Sequence, residues 1–117
     1  MMSAEEGFRR LAIGEKALLA AVADPDGDIP GAPRLDERTE SLIRVAVLVP
    51  LDAPQSSYQP AVEAATRAGA SLDDLLATLV ATAASVGSPR VVAAAPRIAL
   101  AAGYDVDLAL EETRGAG

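Results

Sequence analysis

Cysteine and histidine are both missing from the 117 residues. The first absence excludes disulfides, thiolate nucleophiles and sulfur-ligated metals. The second removes the usual general base near neutral pH and the commonest metal ligand, and with them His-centred triads and ordinary zinc sites. Carboxylates, hydroxyls, Tyr, Lys and Arg are left to carry any chemistry. Large aromatics are scarce too: one Phe, two Tyr and no Trp. The core must therefore be built mostly from Ala, Leu and Val. A domain of this size buries only roughly 65% of the surface its unfolded chain exposes, so it gains from packing against copies of itself. Positive charge is the minority, with 10 basic against 17 acidic residues and a net charge of −7. That balance repels phosphate backbones and supplies no basic stripe, which argues against a nucleic-acid partner. No apolar run approaches the roughly 20 residues needed to cross a bilayer, because Pro, Gly or charge interrupts each one. The start, Met1 to Glu6, lacks the basic-then-apolar layout of an export signal. The expectation is a soluble, cytoplasmic chain with no membrane partner, no metal and no other cofactor.

What is present favours helices, since Ala, Leu, Arg and Glu all form them readily and small side chains let helices approach closely. From Ser3 to Ala23, Phe8, Leu11, Ala12, Leu18, Leu19 and Val22 follow helical spacing, with Gly14 placed to split the segment. Residues 24–33 hold three prolines and two glycines and read as a linker of turns within the domain. A helix is expected from about Asp36 to Val49, capped by Asp36, with Leu35, Leu42, Ala46 and Val49 inward and Ile43 and Val47 widening that face. Pro50 is expected to end it. The next runs from Tyr58 to Ala68, with Pro60 in its first turn and Gly69 closing it. Ser71-Leu72-Asp73-Asp74 reads as a capping box opening the best amphipathic helix, whose stripe is Leu72, Leu75, Leu76, Leu79, Val80, Ala83 and Val86. After Gly87-Ser88-Pro89 another helix is expected to about Ala102, with Val91, Val92, Ala95, Ile98 and Ala99 inward. A short helical segment from Asp105 to Glu112 and fraying from Thr113 complete the reading. Nothing alternates with period two, so the class is all-α: a bundle of about five to six helices in one domain over residues 1–117, with its core at about 35–103.

Three stretches, taken in order, resemble the carboxymuconolactone decarboxylase and alkylhydroperoxidase D family: Leu35 to Leu42, Ala64 to Ser71, and Leu72 to Val86 running into Gly87-Ser88-Pro89. The resemblance implies an all-helical protomer assembled into homo-trimers or hexamers, with a site at the start of the helix containing Ser57 and often near a subunit boundary. It also implies what has been lost. The two cysteines of the family's redox branch fall on Pro54 and Ser57 here, and the histidine four residues beyond the second falls on Ala61. The glutamate of the decarboxylase branch falls on Ser57. A proton-relay glutamate on the preceding helix aligns with Ser41, or with Glu40 one residue away.

The polar run Gln55, Ser56, Ser57, Tyr58, Gln59 lies where the resemblance places the site. A helix amino terminus there can bind an anionic group, or Ser56 or Ser57 can simply cap the helix. Arg44, among Leu42, Ile43, Val45 and Ala46, can neutralise a ligand carboxylate, pair with an acid across a subunit boundary, or extend to water. Glu63 and Arg67, four apart, read first as an exposed ion pair. Without histidine a base must be Lys16, Asp, Glu or Tyr, and Glu63, Glu40 and Tyr58 are the candidate proton carriers. Two functions follow. One is a non-catalytic oligomeric binding or scaffold protein without thiol peroxidase activity, holding at most a small acidic or lactone ligand. The other is a non-redox lyase or isomerase acting on a small carboxylate or lactone, with Arg44 and Gln55 to Gln59 orienting it. They part on whether the pocket is open and polar or filled by Tyr58 and aliphatic side chains.

Overall fold

The first helical segment breaks where Gly14 takes a left-handed φ of 70°, a conformation an L side chain rarely adopts. The computed structural model describes residues 1–24, 26, 27 and 29–116, and the regular structure among them is entirely helical. The elements are α1 (Ala4–Ala12), α2 (Lys16–Ala23), α3 (Glu37–Ala46), α4 (Gln55–Arg67), α5 (Leu72–Val86), α6 (Ser88–Ala101) and α7 (Val106–Ala116). Among the described residues the helices number seven against the expected five to six, because Gly14 does separate α1 from α2, and the tail helix runs on through Thr113 to Ala116 instead of fraying. Pro25 and Asp28 of the anticipated linker lie outside the described residues. Its remaining residues hold turns through Gly27 N to Asp24 O at 2.9 Å and Ala32 N to Ile29 O at 3.0 Å. None of the described helices is long and apolar enough to cross a membrane.

The chain divides into two units, Met1–Leu35 and Asp36–Gly117. In the first, α1 packs on α2, Arg10 forms an ion pair with Glu15 across the Gly14 break, and Leu18 is buried. Phe8 stays 74% exposed. In the second, α3 packs on α4 and α5, α6 on α4, α5 and α7. Its core joins Val45, Val49, Ala53, Tyr58, Val62, Ala65, Leu75, Leu79, Ala94 and Ile98.

Caps account for the boundaries of this unit. Asp36 accepts from Thr39 N at 2.7 Å and opens α3. Ser71 and Asp74 form the reciprocal capping box at α5, each accepting the other's backbone N–H. Gly87 (φ 85°, ψ 158°) turns the chain from α5 into α6. Two boundaries differ from the sequence reading. The α3 helix stops at Ala46, one turn before Pro50, and α4 starts at Gln55 behind Pro54, so Pro60 lies inside the helix and deprives the Ser56 carbonyl of a partner.

Three faces are rotated or narrowed relative to expectation. Ser41 and Val45 turn inward on α3, while Ile43 and Val47 stay exposed and Leu42 and Ala46 are half-buried. That is a turn of about 100°, one residue of helix. On α5 only Leu75 and Leu79 are buried, leaving Leu72, Leu76 and Val80 uncovered. On α6 the buried pair is Ala94 and Ile98, with Val92 at the surface. The wide apolar stripe of α5, packed on α3 and α6, is thus only partly covered.

Candidate functional site

The site expected from the sequence is the beginning of α4, and the turn that leads into it is held from α6. Asp52 adopts a φ of 50°, which a short polar residue tolerates better than most. The turn is closed by Asp52 N to Val49 O at 3.1 Å and Ala53 N to Leu48 O at 3.2 Å. One carboxylate oxygen of Asp52 lies 3.0 Å from Arg97 Nη1 and the other 3.0 Å from Arg90 Nη1. Arg90 and Arg97 are two turns apart on α6, so they reach the same side. Arg97 also donates to the Ala53 carbonyl at 2.8 Å, and Gln55 Nε2 returns a hydrogen bond to the Arg97 carbonyl at 2.8 Å. A negative residue between two guanidiniums thus ties the α3–α4 turn to α6.

Pro54 occupies the N-cap of α4 and supplies no side-chain acceptor. The capping role expected of Ser56 or Ser57 is therefore not taken up, because the helix begins before them: Ser56 is exposed in the first turn and Ser57 half-buried beside it. Tyr58 is the largest fully buried side chain in the protein, and its hydroxyl has no hydrogen-bond partner. The ring belongs to the buried cluster that includes Val45, Val49, Ala53 and Val62. Burial above all pushes its phenol above the ordinary value, with Arg97 opposing and Asp52 adding to the rise.

The other anticipated residues do not join this cluster. Arg44 is exposed on α3 and lies 3.8 Å from Glu40. Glu63 is exposed and accepts from Gln59 at 2.9 Å, so the expected Glu63–Arg67 pair is replaced by one four residues in the other direction. Of the positions onto which the resemblance maps reactive groups, Pro54 is the cap, Ser57 is in the first turn, Ala61 packs against the core and Ser41 is buried. Among the described residues, no three acidic side chains are grouped to hold a metal ion. Gln55 and Tyr58 lie beside this turn, and Asp52, Arg90 and Arg97, which the sequence reading did not single out, form its charged cluster. Two arginines seven apart in an otherwise apolar helix were the available signal.

Comparison with known proteins adds one match. The model of the carboxymuconolactone decarboxylase family aligns with residues 16–100. No curated protein and no solved structure matches the chain.

Proposed function

The chain belongs to the carboxymuconolactone decarboxylase family, and we propose that within it this protein is a non-catalytic, oligomeric binding or scaffold protein with no thiol peroxidase activity. The observation that carries this reading is the interior at the start of α4. There the Tyr58 ring, fully buried among Val45, Val49, Ala53 and Val62, occupies the core behind Pro54, Ser57 and Ala61. None of those three residues can act as a thiolate or an imidazole base. A lyase or isomerase acting on a small carboxylate or lactone would need Arg44 and an acid facing one substrate. Arg44 instead neutralises Glu40 on its own helix and Glu63 is held by Gln59, so that alternative has less to draw on.

Self-association is supported by the uncovered side of α5, where Leu72, Leu76 and Val80 repeat every four residues at the surface. A trimer or hexamer of the 11.9 kDa chain is the expected assembly. The test pairs light scattering on the purified protein with assays of thiol-dependent peroxide reduction and of lactone decarboxylation. A stable oligomer without turnover is expected. Turnover in either assay overturns the proposal.

A further inference from the structure

We propose that the face formed by α3 and α5 is where a second copy of the chain docks, about a two-fold axis that sets the two α5 helices antiparallel, so that the chain assembles in even numbers. This rests on the reading that the chain is oligomeric. It adds which surface meets which, and of the two assemblies expected it selects the hexamer over the trimer.

Charge is the first observation. From Leu75 to Pro89 no residue is Asp, Glu, Lys or Arg, although charged residues make up 23% of the chain and about three would be ordinary over that length. Water nevertheless reaches this stretch: Leu76 and Val80 are 60% and 64% exposed, and Ala77, Ala81 and Ala84 are exposed beside them. An exposed apolar patch emptied of charge has the composition of an interface core. The only charges on α5 are Asp73 and Asp74 in its first turn. Antiparallel pairing keeps those ends of the two copies roughly 20 Å apart, well beyond a Debye length of about 8 Å, whereas parallel pairing sets them side by side.

Shape is the second. Leu76, Val80 and Ala84 follow one another every four residues and form a ridge along α5. Next to it a groove of about 330 Å³ runs between α3 and α5, lined by Leu42, Ile43, Ala46, Thr78, Ala81 and Thr82. Thr78 and Thr82 donate their hydroxyls to the carbonyls of Asp74 and Leu79, both at 2.8 Å, so these groups ask nothing of an occupant and an apolar ridge suits the groove. Arg38, bonded to Asp74, ties the start of α3 to the start of α5 and holds the groove open before anything enters it. Ridge and groove lie side by side on one face, so a two-fold rotation brings each ridge into the other copy's groove, the same patch being used twice. An unrelated ligand in the groove leaves the ridge in water. A second copy covers both. A membrane surface, the other taker of an apolar helix face, is disfavoured by a net charge of −7. The footprint of α3 and α5 is on the order of 400 Å² in projection, near the low end of specific interfaces, so one buried charge is enough to open it.

The experiment measures the mass of the full-length protein by light scattering at one protein concentration, in the wild type, Val80→Glu, Ile43→Glu and Val92→Glu. The wild type is expected at an even multiple of 11.9 kDa. Val80→Glu on the ridge and Ile43→Glu in the groove are each expected at half the wild-type mass. Val92→Glu, 72% exposed on α6 and outside the groove, is expected to keep the full mass. Far-UV circular dichroism checks that each variant is folded, and Ile43→Glu decides the matter should Val80→Glu fail to fold. A trimeric wild type overturns the pairing and leaves the oligomeric reading standing, while a monomeric wild type overturns both. Unchanged mass in the folded ridge and groove variants, or an equal loss in Val92→Glu, overturns the placement. Peroxidase or decarboxylase turnover overturns the non-catalytic reading and leaves this interface standing.

Discussion

Replacing Tyr58 by Phe isolates one atom in the middle of the protein. The side chain is fully buried and its hydroxyl unpartnered, so the substitution removes a group whose burial without a hydrogen bond costs about 1–3 kcal/mol, while the ring and its packing remain. Some of that cost is already relieved by local adjustment, and a net stabilisation of about 1 kcal/mol is expected. For a chain this long that is a rise of about 4 °C in Tm. In urea the midpoint should move up with an unchanged slope, measured at a fixed protein concentration. Tyr58→Ala provides the opposite bound: losing the whole ring from a fully buried position is expected to cost about 3–5 kcal/mol. If Tyr58→Phe lowers the stability by about 1 kcal/mol, the hydroxyl is bonded in solution and the reasoning about an orphaned donor is refuted.

Arg38, with Nη2 2.6 Å from Asp74, acts with the Ser71 amide and hydroxyl to hold the Asp74 carboxyl at about 2 against an ordinary 3.8. Because the folded value is the lower one, the contribution is complete above 3.8 and is lost as the pH falls towards about 2. Urea midpoints measured across that interval should fall less steeply in Arg38→Gln, and identical pH profiles would show that the pair is not what holds Asp74. Gly87→Ala meets no atom nearer than Pro89 Cδ at 3.9 Å, but it forces a side chain into φ 85°. The expected loss is about 1–3 kcal/mol by urea or thermal denaturation, and a neutral substitution would mean that the α5–α6 junction relaxes to another conformation.

The elements were legible because their ends are written in local chemistry. Asp36, Ser71 with Asp74, Gly69 and Gly87 each satisfy or release backbone groups within a few residues, which a sequence states directly. The faces were less legible. On α3, Leu42 and Ala46 look as suited to the core as Val45, and only the neighbouring helices decide that Ser41 and Val45 turn inward. The α5 stripe carries the same ambiguity in another form. Seven apolar positions at helical spacing predict burial, and the other helices of the chain cover Leu75 and Leu79 while leaving Leu72, Leu76 and Val80 open. Periodicity reports the apolar face a helix has, not how much of it its own chain covers.

The site was harder to read because its charged parts are distant in sequence. The polar run from Gln55 to Gln59 could be located only through the resemblance, with the helix expected from Tyr58, whereas Arg97 reaches Asp52 across 45 residues and becomes visible only when α6 lies against α4. The residues favoured on the sequence, Arg44, Glu40, Gln59 and Glu63, were chosen for charge and for nearness along α3 and α4, and they pair along those same helices. A pair four residues apart on one helix can form whatever the fold, so it says little about function. A carboxylate placed between two arginines of another helix is set by the fold, and it holds the α3–α4 turn to α6 although each exposed pair stabilises little.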